Sequence, residues 1–108
     1  MLLRGNWVLP KKYPPLTYQE VVAILKAWGF KFKDQEGSHE QYEGVIKGKK
    51  RKVTVDSNDS PYDEFILRSM ISQSGLSREE FYTTTKTTAK KINMKKVKPA
   101  KTIIDPID

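Results

Sequence analysis

The apolar residues of this chain change their spacing at Gly29, from a helical period to the period of a β-strand. Before Gly29, four apolar residues recur at intervals that place them on one face of a helix. These residues are Val21, Ile24, Leu25 and Trp28. The sequence Thr17-Tyr18-Gln19-Glu20 has the form of a capping box, so it predicts that the helix begins at Thr17 and ends at Gly29.

The residues after Gly29 alternate as in a strand that buries one face. Phe30-Lys31-Phe32-Lys33 predicts a first strand with both phenylalanines inward and both lysines outward. The stretch from Asp34 to Gly37 predicts a turn in which Gly37 takes a positive φ.

Two further strands are predicted. In the second, from about Ser38 to Val45, aromatic Tyr42 is expected in the core, and Glu40 shares its face. The residues of the opposite, open face are then His39, Gln41 and Glu43. Residues 47–52 predict a basic hairpin turn and its approaches, and Val53-Thr54-Val55 predicts a third strand with both valines inward. Its outward residues are Lys52 and Thr54.

A second helix is predicted after a polar loop. Ser60-Pro61-Tyr62-Asp63 supplies a serine cap, a proline at the first helical position and an acid that the helix dipole favours. The apolar stripe is Phe65 or Ile66, then Leu67, Met70 and Ile71. Gly75 ends the helix, and residues 77–80 form a second capping box before a short helix. This order predicts an α+β domain of the double-stranded-RNA-binding type: a three-stranded antiparallel sheet with two helices on one face.

The two ends of the chain differ in composition from its centre. Residues 1–15 contain three prolines and predict an irregular N-terminal arm. Residues 16–82 form the predicted domain. Residues 83–108 form a predicted basic tail, because they begin with threonines, which are poor helix formers, and then carry lysines. We expect this tail to be disordered alone or ordered on a partner.

The net charge of +7 favours phosphate-rich partners such as nucleic acid or a membrane surface. The absence of cysteine excludes a disulfide framework and a thiolate metal site, and a single histidine makes a zinc site implausible. We therefore expect no metal and no cofactor. The sequence shows no secretory signal and no run of about 20 apolar residues, so it predicts a cytoplasmic protein without a membrane span.

His39 is the only imidazole, and it is therefore the obvious group for proton transfer near neutral pH. A basic face with a central histidine suits RNA cleavage, since the imidazole can take a proton from a ribose 2′-hydroxyl or from water while cations stabilise the phosphorane. The candidate RNA contacts are Lys31, Lys33, Gln41 and Lys52, and the candidate supporting turn is Gly37-Ser38. The alternative is a histidine with only a surface or hydrogen-bonding role. A hydrolase triad is disfavoured, because no second imidazole and no nucleophile elbow is present.

Four motifs occur in order between Leu16 and Phe81. They are Leu25-Lys26-Ala27-Trp28-Gly29-Phe30, Gly37-Ser38-His39 followed by Tyr42, Lys52-Val53-Thr54-Val55, and Leu67-Arg68-Ser69-Met70-Ile71-Ser72-Gln73-Ser74-Gly75-Leu76-Ser77. With them the chain resembles the HicA-type (YcfA-like) mRNA interferase toxins of HicAB toxin–antitoxin systems. The resemblance implies a double-stranded-RNA-binding-like fold, a ribonuclease activity that arrests translation, and a catalytic role for His39. It also implies an mRNA substrate and a HicB-type antitoxin that occludes the active site, in a homo-oligomer or a toxin–antitoxin hetero-oligomer.

Two other functions fit parts of the sequence. A non-catalytic RNA-binding module of the same fold would hold duplex phosphates with lysines at the start of the second helix, where this chain has the acidic stretch Ser60-Pro61-Tyr62-Asp63-Glu64. An interaction protein would dock its basic tail on an acidic partner. We favour a metal-independent endoribonuclease. Residues 56–60 are acidic and polar where many HicA toxins have proline and lysine, so we expect little RNA affinity at this loop.

Overall fold

The computed structural model of the protein describes residues 12–97. Its strands form one antiparallel sheet in the order β1-β2-β3. The elements in chain order are α1 (Tyr18–Ala27), β1 (Lys31–Glu36), β2 (His39–Ile46), β3 (Lys49–Asp56), α2 (Glu64–Ser74), α3 (Arg78–Tyr82) and α4 (Lys86–Lys90). The predicted α+β architecture of helix, three strands and helix is confirmed.

One apolar core joins the two long helices to the sheet. It includes the predicted stripe of α1 and both valines of β3, which are fully buried. Burying one such side chain stabilises the fold by about 1.5–3 kcal/mol. Of the two residues proposed to begin the stripe of α2, Ile66 packs against this core, whereas Phe65 is 80% exposed.

The first helix begins as the sequence predicts. The Thr17 side chain accepts a hydrogen bond from the Glu20 N–H at 3.2 Å, and the Glu20 carboxylate accepts one from the Thr17 N–H at 2.8 Å. This capping box satisfies two N–H groups that the helix itself cannot pair. After the helix, Gly29 has a φ of 90°, a conformation that glycine adopts without strain.

A β-bulge at Lys33 shifts the register of β1 against β2. Beyond the bulge, Asp34 lies opposite Gln41, and Glu36 lies opposite His39. Residues directly opposite in an antiparallel pair share a face of the sheet. The bulge therefore brings the carboxylates of Asp34 and Glu36 to the face of His39. Without the bulge, the alternation that begins at Lys31 would have placed Lys33 and Gln35 at these positions.

Both phenylalanines of the first strand lie on the core face, as predicted, but only Phe30 is buried there. Phe30 is buried, but Phe32 is 51% exposed and packs its ring edge-on against Tyr42, with 5.9 Å between the ring centroids. The reason is that β1 lies at the edge of the sheet, where all six of its residues are exposed. Phe32 therefore reaches only the margin of the core.

Lys47 and Gly48 connect β2 to β3 in a two-residue turn, with φ of 52° and 82°. Two-residue turns with positive φ at both positions match the right-handed twist of the flanking strands. The turn fixes the register of the hairpin. Counting outward from it, His39 at the start of β2 pairs with Asp56 at the end of β3.

The prediction that Ser60-Pro61 opens the second helix is wrong. The N-cap is Asp63, whose carboxylate accepts a hydrogen bond from the N–H three residues later at 3.0 Å. Ser60 instead accepts a hydrogen bond from the first N–H of α1 at 2.9 Å. Tyr62 is fully buried, and its N–H donates to the carbonyl of Leu16 at 2.8 Å. This bridge keeps the chain out of the helix until Asp63.

The start of the predicted basic tail is ordered on the domain: residues 83–92 pack on it, and the N–H of the exposed Val97 donates to the carbonyl of Thr83 at 2.7 Å. The indole N–H of Trp28 donates to the Thr84 hydroxyl at 2.7 Å, and the Lys91 ammonium lies 3.1 Å from the Glu20 carboxylate. Threonine can be buried here because the hydroxyl groups donate to backbone carbonyls of α3. The buried residues are Thr83, Thr84, Thr88, Ala89 and Ile92.

The beginning of the described chain crosses this region. The Tyr82 hydroxyl donates to the carbonyl of Pro14 at 2.7 Å, and Arg78 donates to the carbonyl of Lys12 at 3.0 Å. Residues 1–11, most of the predicted N-terminal arm, and residues 98–108, the end of the predicted tail, lie outside the described residues. The division of the chain at residues 15 and 82 stays a prediction.

Candidate active site around His39

His39 is the first residue of β2 and follows the turn Gly37-Ser38, in which Gly37 has a φ of 60° as predicted. The imidazole is 58% exposed, whereas the adjacent Glu40 is buried. Because successive residues of a strand point to opposite faces, His39 points away from the core. A substrate can therefore reach the ring from solvent.

Asp56, the last residue of β3, is the partner of His39 across the sheet. Its Oδ2 lies 3.4 Å from Nε2 of the imidazole. This is longer than the about 3.2 Å of an ordinary N–H···O hydrogen bond, so the interaction is a close charge contact. The contact turns Nε2 toward the carboxylate and leaves Nδ1 on the opposite side of the ring.

The surroundings of Asp56 keep its carboxylate ionised. A hydrogen bond from the Ser38 side chain, a second from the Asn58 N–H at 3.0 Å and the neighbouring imidazole hold the pKa of Asp56 below its ordinary value. Ser38 thus acts on the carboxylate in addition to its place in the turn. Sequence reasoning placed Asp56 in a polar loop and missed this role. If the turn had been placed at residues 47–48, counting residues outward along both strands would have shown that Asp56 pairs with His39.

Hydrogen bonds to backbone carbonyls hold the two strand ends in place. The Ser57 N–H donates to the carbonyl of Ser38 at 2.9 Å, and the Tyr62 hydroxyl donates to the carbonyl of Asp56 at 2.8 Å. Burial, together with the charge of Asp56, raises the pKa of Tyr62 to about 12. The phenol therefore remains a hydrogen-bond donor, and the backbone that carries the carboxylate is fixed.

The lysines predicted to surround His39 lie farther along the sheet. Lys31 and Lys52 both pair with Glu43, which is four residues along β2 from His39. At about 3.4 Å per residue, this separation is about 14 Å. Lys33 lies in the bulge of β1. The structure thus places these lysines on exposed parts of the sheet but does not gather them beside the imidazole.

The expectation of a basic face around His39 is wrong. Gln41, the predicted contact nearest to His39 along β2, has its side-chain oxygen hydrogen-bonded at 2.9 Å to the hydroxyl opposite it on β3. Asp34 lies opposite Gln41 on β1, and the row of His39 itself carries Glu36 and Asp56. The β1 bulge accounts for two of these three carboxylates, and the hairpin register accounts for the third.

The sequence model of one family, described as HicA toxin of bacterial toxin–antitoxin, matches residues 18–76, more than half of the chain. The chain belongs to the HicA toxin family. The protein is therefore a toxin of a bacterial toxin–antitoxin system, and the resemblance carried by the four sequence motifs is confirmed. No curated protein and no solved structure shows a significant match to it.

The region matched to the HicA family runs from the first residue of α1 to just beyond α2. It includes the whole sheet and therefore both His39 and Asp56. Within residues 12–97, no helix is long and apolar enough to cross a membrane. The same residues contain no group of three or more histidine, cysteine, aspartate or glutamate side chains placed to hold a metal ion.

A buried carboxylate lies on the core side of the HicA sheet, next to His39 in the chain. Glu40 is 9% exposed and accepts hydrogen bonds from the Tyr18 hydroxyl at 2.7 Å and the Tyr42 hydroxyl at 2.9 Å. Burial, followed by the hydrogen bond with Tyr18, raises the pKa of Tyr42, and the hydrogen bond to Glu40 raises that of Tyr18. Both phenols therefore stay protonated, and they tie α1 to the start of β2.

Proposed function

We propose that this HicA toxin is an endoribonuclease that cleaves mRNA and so arrests translation, with His39 as its proton-transfer group. One observation carries the proposal: the only imidazole of the chain is exposed on the uncovered face of the sheet and lies 3.4 Å from a carboxylate whose pKa is lowered. An exposed base with an anionic neighbour has the arrangement that general-base catalysis requires.

In the proposed reaction, Nδ1 of His39 takes the proton of a ribose 2′-hydroxyl, and the 2′-oxygen attacks the adjacent phosphorus. The bond from phosphorus to the 5′-oxygen of the next nucleotide breaks, and this oxygen takes a proton from water. The hydroxide left behind takes the proton of the imidazolium, which restores neutral His39. The products carry a 2′,3′-cyclic phosphate and a 5′-hydroxyl. Asp56 stabilises the imidazolium that forms. Ribose supplies the nucleophile, so the step needs no metal ion in principle.

The partner proposed for this toxin is a HicB-type antitoxin, which would inhibit it by covering the face that carries His39. The family supports such a partner and an RNA substrate in general terms. The two proteins would form a toxin–antitoxin hetero-oligomer in the cytoplasm, where mRNA is translated.

Replacing His39 by alanine tests the proposal. We expect cleavage of a labelled RNA to fall about 10²- to 10⁴-fold, because that is the usual contribution of a positioned general base, and growth arrest to disappear. Asp59→Asn is the matched control, since Asp59 is exposed in the neighbouring loop, and it should cleave as the wild type does. Circular dichroism verifies that both variants fold. Undiminished cleavage by folded His39→Ala would remove His39 from the mechanism.

The identity of the nucleophile has a separate test. An RNA with a 2′-deoxy nucleotide at the scissile position should resist cleavage, and the normal product should carry a cyclic phosphate. Cleavage of the deoxy substrate at the same position would show that water is the nucleophile, with His39 activating that water.

The main alternative is a non-catalytic RNA-binding module of the same fold. Its phosphate contacts would lie at the start of α2, but there the N-cap is Asp63 and the first helical residue is Glu64. Negative side chains at this helix end repel phosphate. A gel shift distinguishes the two functions: tight, duplex-only binding without cleavage would favour the module. The interaction-protein alternative relied on a free basic arm, and residues 83–92, which begin that arm, are packed on the domain.

A further inference from the structure

The two ends of the β2–β3 hairpin carry opposite charge. The end with His39 carries Glu36 and Asp56 in one row, and Asp34 lies in the next row. At the other end, two cations of β3 lie on the face of His39 and have no ion-pair partner among residues 12–97. These residues are Lys50 and Lys52, here called the hairpin cluster.

A hollow of about 440 Å³ lies at the hairpin cluster. Its lining residues are Glu43, Gly44, Val45, Lys50, Arg51 and Lys52. On the face of His39, one carboxylate meets the two lysines of the hairpin cluster, so the hollow is net positive. Val45 is 62% exposed and offers an apolar wall. The Arg51 side chain alternates to the other face of the sheet, where it packs near Gly75. Sites for small ligands measure about 300–1,000 Å³, a range that suits a single nucleotide.

The hollow and the imidazole share one face of the sheet. Val45 pairs with Lys50, and both lie on the same face as His39 because they are an even number of residues from the His39–Asp56 pair. Six residues separate His39 from Val45 along β2, which corresponds to about 20 Å at about 3.4 Å per residue. A strand of RNA that lies along this face can contact both places at once.

The charge pattern decides which part of the substrate each end contacts. Carboxylates beside His39 repel the phosphates of a bound RNA, so the chain must neutralise the substrate backbone elsewhere. The hairpin cluster supplies unpaired cations for this on the same face. A hollow of nucleotide size with an apolar wall also suits an unstacked base, as in single-stranded RNA, better than a base inside a duplex.

We propose that the hairpin cluster and its hollow bind the backbone phosphate and one nucleotide of a single-stranded RNA, several nucleotides away from the phosphate cleaved at His39. This inference rests on the proposed ribonuclease function, and it adds a substrate-binding subsite remote from the chemistry. Lys50 was not among the RNA contacts predicted from the sequence, and Lys52 was.

Binding without cleavage provides the first test. The full chain with His39→Ala is titrated with a labelled single-stranded RNA over a range of salt concentrations, with and without Lys50→Gln and Lys52→Gln together. Each phosphate contact with single strands contributes about 0.7 to the slope of log affinity against log salt. We expect the double replacement to reduce the slope by about 1.4. This corresponds to about 25-fold weaker binding at about 0.1 M salt.

A matched control separates a specific site from net charge. Lys90→Gln and Lys95→Gln remove the same charge from exposed positions in the segment packed on α1. This pair should leave the slope nearly unchanged, and Lys50→Arg with Lys52→Arg should retain it. If both pairs of glutamine replacements reduced the slope equally, the effect of the hairpin cluster would be one of net charge alone, and the proposal would be overturned.

Cleavage of substrates of two lengths provides the second test. On a chain that retains His39, the Lys50 and Lys52 replacements should raise KM for a long RNA and leave kcat/KM for a dinucleotide unchanged, because a dinucleotide cannot reach the hollow. An equal loss on the dinucleotide would place the lysines at the scissile phosphate and overturn the inference.

The remaining outcomes separate this inference from the proposed function. Wild-type protein that binds RNA through the hairpin cluster but cleaves none would refute the function and leave the binding site standing. Normal cleavage with unchanged KM in the variant that carries Lys50→Gln and Lys52→Gln would refute the binding site and leave the proposed function standing. Unchanged RNA binding together with lost binding of an acidic protein partner would assign the hollow to that partner instead.

Discussion

The two ends of the β2–β3 hairpin are built in different ways. At the His39 end, hydrogen bonds from the Ser57 N–H and the Tyr62 hydroxyl to backbone carbonyls fix both strands, and the buried Glu40 ties the sheet to α1. At the turn end, the ion pair between Lys47 and Glu80, at 2.9 Å, links the hairpin to α3, and the neighbouring lysines are exposed. The difference agrees with the roles proposed for the two ends, because proton transfer needs fixed geometry, whereas binding a flexible polyanion needs charge more than position.

The largest effect on stability is expected at the fixed end, from Glu40→Ala. The replacement leaves the hydroxyl groups of Tyr18 and Tyr42 without their acceptor in a buried site, at a cost of about 3 kcal/mol in the free energy of unfolding. Urea denaturation measures this cost. Glu43→Ala is the control, since Glu43 lies on the same strand and points to the open face. Equal losses in the two variants would mean that the His39 end is no more firmly held than the rest of β2.

A smaller effect, on catalysis, is expected from Asp56→Asn. We expect kcat to fall about tenfold to a hundredfold, less than the about 10⁴-fold loss for a buried triad aspartate, because the Asp56 side chain is 24% exposed. KM should change little, which separates a positioning role from substrate binding. Asp59→Asn again serves as the control. An unchanged kcat would leave His39 to act without help from Asp56.

Asp56 also predicts a pH dependence of stability. Its folded-state pKa is below the ordinary value, mainly because of the Ser38 hydrogen bond, so its stabilisation is present above the unfolded pKa of about 3.9. That stabilisation is lost as the pH falls through the folded pKa. The difference in unfolding free energy between wild type and Asp56→Asn should therefore shrink on acidification below about pH 4.

The smallest effect is expected at the turn end, from Lys47→Gln. The Lys47 and Glu80 side chains are 58% and 32% exposed, so loss of their ion pair should cost less than about 1 kcal/mol and leave kcat unchanged. Burial raises the pKa of Glu80, but hydrogen bonds from Ser77 and Lys47 outweigh this effect and hold the pKa below its ordinary value. The cost should therefore be visible at neutral pH and vanish once acid protonates Glu80. A cost as large as that of Glu40→Ala would contradict the contrast between the two ends.

Local patterns in the sequence predicted the parts of the fold that depend on neighbours in the chain. The capping boxes at Thr17 and Ser77 formed as predicted, because each uses only groups three residues apart. The faces of His39 and Tyr42 were also predicted, since the alternation of β2 is unbroken. The catalytic candidate could therefore be found, and its exposure foreseen, from the sequence.

Features decided by distant parts of the chain were not predictable in this way. The bulge at Lys33 depends on how β1 pairs with β2, and no local signal marks it. The choice of Asp63 over Ser60 as the N-cap depends on the bridge between Tyr62 and Leu16. Because neither the bulge nor the hairpin register was foreseen, the acidic surroundings of His39 were missed.

The packing of residues 83–92 bears on how short this toxin can be made. Cutting the chain after Tyr82 would remove the acceptor of the Trp28 indole N–H and uncover the apolar surface that Ala89 and Ile92 now cover. We therefore expect the smallest stable unit to extend past the family boundary at residue 76, to Ile92 at least. Shortened forms designed from the family match alone would expose this apolar surface to solvent.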